Sequence, residues 1–362
     1  MVRVKNRLSA ILAFATAVFA VHDLPAVEHP KPGVGPNARY ATDAYPGFDT
    51  EKETISPERK EPRWFSFITG PKRSNAREQI EYCAELMVER DYSKARRQLD
   101  ALVREWPTSP EAPKAQKALA EVCLENLLDY EDAFKEFRYL LDFYSLQCDY
   151  NRIADRMYQV AGLMRQEGKE VMFIRFANTV DVRRAYEACV LHAPGASWVP
   201  EAMLIIGALR EDEGKYEEAV KVYENLRNTH RDAPESAMAL MREADARMKV
   251  LRERAYNRAR SRETADFLST ALRTCRPGDT EVLKGYLAEV RALMEDEAYR
   301  GAKFYDSPTR TLRSAVNAYE RFLAEYPASE RAEEVKARLA ELKAKLEAKQ
   351  AGQEPGKEED DK

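Results

Sequence analysis

Between about Trp64 and Gln350, apolar residues recur three and four positions apart almost without a break, the period of amphipathic helices and not of strands. One arrangement repeats inside that pattern. In AVNAYERFLAEYPASERAEEV, a small residue, Ala315, is followed four positions later by Tyr319 and twelve positions later by Pro327. Ala95, Leu99 and Pro107 keep the same register, as do Val182, Tyr186 and Pro194. Ala133 with Phe137, and Ala219 with Tyr223, keep it without the proline. Ala265 and Pro277 keep the ends, but Ser269 stands where a large side chain belongs. Tyr92, Tyr130 and Tyr216 each stand three residues before their small residue.

A small side chain lets two helices approach closely, and residues four and seven positions on lie on the same face and fill the groove between them. A proline cannot continue a helix and pushes its predecessor out of the helical region, so each rod is expected to stop there. New helices are expected to start at Ser109-Pro110 and Val199-Pro200, with proline in the first turn. Helix, turn, helix and stop, repeated, predict an all-α helical solenoid of about six helix pairs over residues 64–350.

The repeat resembles the tetratricopeptide repeat. The fourth copy, MLIIGALREDEGKYEEAVKVYENL, carries the resemblance best: Gly207 and Ala208 are small residues suited to a close helix contact, and Gly214 is placed to end a helix before Lys215-Tyr216. The spacings between small residues, 38, 49, 37, 46 and 50, exceed the 34 residues standard for that repeat, so longer helices or insertions are expected. KEVMFIRFANT, from Lys169 to Thr179, reads as one such insertion.

The flanks differ in character. Arg3, Lys5 and Arg7 precede an apolar run from Leu8 to Val21, too short to span a bilayer, which needs about 20 helical residues. With Val18 and Ala20 as small residues before the cut, residues 1–20 read as a signal peptide cleaved after Ala20; the other reading is an uncleaved amphipathic helix. Residues 21–63 are rich in proline and charge and read as a flexible tether, and residues 351–362 as a disordered charged tail. Trp64-Phe65-Ser66-Phe67-Ile68 suits a cap over the end of the solenoid, or else a docking peptide.

Composition narrows the function classes. The net charge of -4 gives no basic field for nucleic acid. The five cysteines lack metal-ligand spacing and read as buried thiols, with a single disulfide as the alternative. The four histidines include no pair four apart on one helix face, and no phosphate-binding or nucleophile motif occurs. No cofactor, metal or small-molecule substrate is expected, and the chain is expected to bind proteins and not to catalyse. From Arg242 to Arg262, eight Arg and Lys stand against three acids, 8 − 3 = +5, which reads either as a surface for an acidic protein partner or anionic headgroups or as a solvated helix laced with ion pairs.

Four stretches carry a narrower resemblance: REWPTSPEAPKAQKALAEV, EDAFKEFRYLLDFYS, LAEVRALMEDEAYRGAKFYD and AVNAYERFLAEYPASERAEEVKARLAEL. Over about residues 76 to 345 the chain looks like the outer-membrane assembly lipoprotein family, BamD (also called YfiO). The aromatic pair Phe304-Tyr305 closes one helix, and YPxS, Tyr326 to Ser329, closes the next, as in that family. The resemblance implies a periplasmic scaffold at the inner face of the outer membrane, holding a barrel-assembly subunit, nascent outer-membrane proteins, or both. Members carry a lipidated cysteine directly after the signal peptide, whereas the first cysteine here is Cys83, so the lipid does not carry over and contact with the membrane is expected only through a partner. The alternative is a soluble periplasmic tetratricopeptide adaptor for cell-wall synthesis or division.

Overall fold

A computed structural model of the protein describes residues 70–170, 175–253, 256–307 and 310–351. The expected signal segment with Ala20, the tether, the Trp64–Ile68 run and all of the tail after Ala351 lie outside the described residues. Among the described residues, all regular structure is helical. The α-helices are α1 (Ala76–Val88), α2 (Tyr92–Glu105), α3 (Ala112–Glu121), α4 (Tyr130–Tyr144), α5 (Tyr150–Glu170), α6 (Arg175–His192) and α7 (Val199–Asp212). They continue as α8 (Tyr216–Thr229), α9 (Pro234–Glu253), α10 (Arg258–Thr274), α11 (Thr280–Tyr305), α12 (Leu312–Glu325) and α13 (Ala332–Ala351). The fold is an all-α, tetratricopeptide-like solenoid. Among the described residues, the small-residue helices are α2, α4, α6, α8, α10 and α12, each preceded by a partner, and α13 follows the six pairs.

The described residues fall into two compact units, with the division after Glu243 inside α9. In the first unit, each helix from α1 to α8 packs on the next. Its core runs through Leu99, Leu102, Phe137, Leu140, Met157 and Tyr223, all fully buried. Each such side chain contributes roughly 1.5–3 kcal/mol of transfer free energy. In the second unit, α10 to α13 pack in sequence, and Tyr299, Phe322, Val335 and Leu342 form a buried cluster of α11, α12 and α13.

Two turns recur in the backbone. Within the first, second and fourth pairs, the residue two before the second helix is left-handed: Arg90 at φ 61°, Leu128 at φ 55° and Gly214 at φ 73°. The next residue then caps that helix, and the tyrosines Tyr92, Tyr130 and Tyr216 are its first residues. In the first and fourth pairs the cap N–H reaches back five residues, Asp91 to the Leu86 carbonyl and Lys215 to the Arg210 carbonyl, at 2.9 and 2.8 Å. In the second pair the same bond runs from Asp129 to Cys123, six residues back, at 2.9 Å. The extra residue belongs to a π-helical turn, Val122–Asn126, that closes α3.

Between pairs, the last helix residue is followed by a cap of fixed shape: Trp106 (φ -125°, ψ 57°), His230 (φ -128°, ψ 54°) and Tyr326 (φ -130°, ψ 62°). Two successive three-residue bonds follow, from Ser109 N–H to the Trp106 carbonyl and from Ala112 N–H to Ser109, each 3.1 Å. Their counterparts link Ala193, Ala196 and Val199; His230, Ala233 and Ser236; and Tyr326, Ser329 and Ala332. Pro107, Pro194 and Pro327 lie in these turns, while Pro277 opens a short 3-10 turn. His230 reaches the same shape before Arg231, so proline marks these stops without being required for them. At the start expected near Ser109-Pro110, Pro113 and not Pro110 occupies the first turn, because α3 begins at Ala112.

The long spacings come from long helices. Lys169 and Glu170 close α5, and Arg175 to Thr179 open α6, so that stretch lengthens two helices of 21 and 18 residues instead of forming a separate insertion; residues 171–174 lie outside the described residues. The 20 residues of α9 and 26 of α11 account for the later spacings.

Candidate functional site

The small residues sit at the helix contacts. Ala95, Ala133, Ala219 and Ala315 are buried, and so is Val182; the large residues four positions on, Leu99, Phe137, Tyr186, Tyr223 and Tyr319, are buried with them. The tightest contact joins α7 to α8. A Cβ added to Gly207 would stand 2.5 Å from Tyr223 Cζ and 2.8 Å from Cδ1, and closer still to Cε1. Only a glycine leaves room for that ring, whose hydroxyl donates to Glu211 Oε1 at 2.7 Å. The fifth copy departs from the expected register. Ala265 is only half-buried, while Thr264 is 1% exposed and Leu268 fully buried. The packing residue is Thr264, with its large partner four positions on at Leu268, while Ser269, like Ala265, is only half-buried.

Polar groups are buried at three places that the sequence pattern did not single out. The first is a pair of glutamines. Gln79 Nε2 donates to the carbonyl and side-chain oxygens of Gln98, at 3.1 and 2.9 Å. Its Oε1 accepts from the Lys72 and Arg73 N–H groups, both at 3.0 Å, which ties down the approach to α1. Gln116 repeats the contact in the second pair, donating to Glu136 O at 2.9 Å and Oε2 at 2.7 Å. Gln79 lies 95 − 79 = 16 residues before its small residue and Gln116 133 − 116 = 17 before its own, the difference made by the π-turn.

The second is an ionic cluster between α6, α7 and α8. Arg183, Glu187 and Arg210 are buried and Glu213 is 8% exposed by its side chain. Arg183 Nη1 donates to Glu187 at 2.7 Å and its Nε to Glu213 at 2.6 Å; Arg210 Nη2 donates to the same Glu187 oxygen at 3.1 Å and Nη1 meets Glu218 at 2.8 Å. Burial pushes the Glu213 carboxyl up, but hydrogen bonds from Arg183 and Lys215 outweigh it and hold the group below its usual range. Alternating charges at these distances link three helices.

The third lies between α4, α5 and α6. The Tyr150 hydroxyl is 3.2 Å from His192 Nδ1 and donates to the His192 carbonyl at 3.0 Å, while His192 Nε2 is 3.5 Å from Asp142. Burial, with Arg138 nearby, lowers the His192 imidazole to about 4, and burial raises the Asp142 carboxyl to about 6 against the opposing charge of Arg138. An imidazole beside a carboxyl is the start of a relay, and here the other ring nitrogen faces the Tyr150 hydroxyl. All five cysteines are free thiols, and burial pushes Cys83, Cys123 and Cys148 up to about 12, far from the thiolate form. Among the described residues, no group of three or more His, Cys, Asp or Glu could hold a metal ion, and no helix is long and apolar enough to cross a membrane.

On the surface, the basic run is largely neutralised within the fold. Arg242 meets Glu211 at 3.6 Å, Arg247 meets Glu263 at 2.8 Å, Arg252 meets Glu289 at 2.7 Å, and Arg258 meets Glu325 at 2.5 Å. A groove of about 700 Å³ beside α2 and α4 is likewise self-paired, with Arg96 on Asp129 and Asp132 and Arg104 on Asp100. The second unit holds a smaller hollow, about 220 Å³, lined by aromatic side chains. Beside it Phe304 and Tyr305 are exposed, with Arg310 over the Phe304 ring at 4.8 Å.

Residues 201–233, the α7–α8 pair and the turn that follows, match the family model of the tetratricopeptide repeat. These residues carry a tetratricopeptide repeat. It contains Gly207, Gly214, Tyr216, Ala219 and Tyr223, which is the contact of smallest and largest residue described above. The tetratricopeptide repeat is a protein-interaction scaffold, so binding to proteins is the coarse function of this architecture. No curated protein matches the chain. A solved structure of a tetratricopeptide repeat protein from Parabacteroides merdae aligns over 74% of this chain and 98% of its own, at 14% identity and a TM-score of 0.26.

Proposed function

We propose that the chain is a periplasmic, non-enzymatic scaffold acting in outer-membrane β-barrel protein assembly. Helix pairs whose charges are mostly neutralised internally leave their specificity to shape and to a few exposed aromatic groups. The observation that carries the reading is the C-terminal pattern: the exposed pair Phe304-Tyr305 at the end of α11, then α12 followed by Tyr326-Pro327-Ala328-Ser329, in the order found in the BamD family. The basic start and short apolar run before Ala20 support export. The barrel-inserting subunit would be held by the C-terminal pairs and nascent barrel segments by the N-terminal ones. A pull-down with the full chain from envelope extracts tests this: recovery of a barrel-assembly subunit is the expected result, and its absence overturns the assignment.

A second reading is a soluble periplasmic adaptor for cell-wall synthesis or division. The position of the first cysteine, Cys83, far from the junction after Ala20, favours it. Depletion separates the two readings: loss of barrel proteins supports the first, and septation defects with normal barrel proteins support the second.

A further inference from the structure

The hollow in the second unit differs in kind from the self-paired groove of the first. Tyr256, Tyr305, Phe322 and Tyr326 wall it, and α11 passes beneath with small residues, Ala298 and Gly301. A Cβ on Gly301 would meet no atom within 4 Å, so the helix backbone is open to the space above it. About 220 Å³ accommodates one large side chain and not a helix.

The charge around the hollow is unbalanced. Arg258 and Arg262 both turn to the Glu325 carboxylate, at 2.5 and 3.8 Å. Arg321, exposed one turn before Glu325 on α12, has no carboxylate within ion-pair distance among the described residues. Glu297, the other acid lining the hollow, pairs with Arg300 at 3.0 Å, and Arg300 and Arg331 together balance Glu297 and Asp296. Arg258 and Arg262 therefore share one carboxylate and Arg321 adds a third charge, an excess of 3 − 1 = 2 positive charges beside an aromatic slot.

We infer that this hollow is a docking site for an acidic segment of a protein partner, which seats one large apolar side chain among the four aromatic rings while flanking carboxylates pair with Arg321 and with the Arg258–Arg262 couple. Aromatic walls supply contact area at low entropic cost, and an arginine fork meets a carboxylate in bidentate fashion. The chain's own acidic end, Gln353 to Lys362, carries no large apolar residue and so supplies only half of the match. The inference rests on the scaffold reading but not on the assignment to barrel assembly.

The test uses a fluorescein-labelled peptide, Gly-Ser-Asp-Asp-Phe-Glu-Asp-Ser-Gly, titrated with the full chain and read by fluorescence anisotropy. Replacing its Phe by Ala, or its four acids by Lys, is expected to weaken binding about tenfold or more. Gly301→Leu fills the slot from an open position on a helix and raises helix propensity, so it leaves the far-UV circular dichroism unchanged while weakening the parent peptide by about tenfold or more. Arg321→Glu does the same by charge. The inference is overturned if the parent peptide does not bind, if the lysine peptide binds equally well, or if folded Gly301→Leu and Arg321→Glu bind like the wild type. Failure here with a barrel-assembly subunit still recovered from envelopes refutes the docking site alone; peptide binding without such a subunit refutes the barrel-assembly assignment alone.

Discussion

Gly207→Ala adds one methyl group where the α7–α8 contact has no space. The new Cβ would lie 2.5 Å from Tyr223 Cζ and 2.8 Å from Cδ1, whereas carbon atoms in contact sit at about 3.5–4.0 Å. The ring must therefore retreat by about 1 Å. It is fully buried, and its hydroxyl is held by Glu211 Oε1 at 2.7 Å, so retreat strains the packing and that bond together. Overpacking costs about 1–3 kcal/mol, a weakened hydrogen bond to a charged acceptor about 1.5–3 kcal/mol, and the better helix propensity of alanine returns about 1 kcal/mol. The expected net destabilisation is about 1.5–5 kcal/mol. Urea unfolding followed by tryptophan fluorescence reads it in the first unit, where Trp198 precedes α7 and stacks on Tyr158 at 4.6 Å. In a Tyr223→Leu background the same change should be neutral or stabilising, giving a coupling above about 1.5 kcal/mol. An unchanged unfolding midpoint in Gly207→Ala, or strict additivity of the two substitutions, would refute the close-contact argument.

Other expectations follow from the same geometry. Leu128 is non-glycine at φ 55° and exposed, so Leu128→Gly should raise stability by roughly 0.5–1 kcal/mol in urea titrations, while Gly214→Ala at φ 73° should lower it by about 1 kcal/mol. Glu187→Gln removes the charge that Arg183 and Arg210 share; the expected loss is about 3 kcal/mol, and a loss below about 1 kcal/mol would show that the cluster does not hold the helices together. The His192–Asp142 couple gives a signed pH prediction. As pH falls, an unfolded histidine gains its proton near 6.5 but His192 only near 4, which destabilises the fold; Asp142 gains its proton near 6 instead of 3.8, which offsets that loss. The wild type should thus be nearly flat between these values, whereas Asp142→Asn should lose up to about 3 kcal/mol as pH drops from 6.5 to 4; parallel urea-midpoint profiles for the two proteins would contradict it.

The helix pairs were legible because their contacts use a code that the sequence states openly, a small residue and a large one four positions on. Where the code failed, the cause is chemical. Thr264 looks polar, but its hydroxyl donates to the Arg260 carbonyl at 2.9 Å within its own helix, so it packs as a small apolar residue. Ser269 satisfies its hydroxyl on Ala265 in the same way, at 2.7 Å, and stays half-buried. Arg183 and Glu187 are spaced like an ordinary solvated pair, four apart. Their burial depends on α7 arriving with Arg210 above them, which no local pattern encodes. The π-turn of α3 is legible only after the fact, from a glutamine displaced by one position. The aromatic hollow was visible in part, since Phe304-Tyr305 stood out, but Tyr256 reaches it from just before α10 and Arg321 from α12.

The stop after α8 has the backbone of the stops after α2 and α12, yet it holds His230-Arg231 where they hold Trp106-Pro107 and Tyr326-Pro327. The prolines therefore do not sculpt the finished corner. Their influence falls on the chain before it folds, where a ring that fixes one torsion narrows the set of wrong directions the next helix could take.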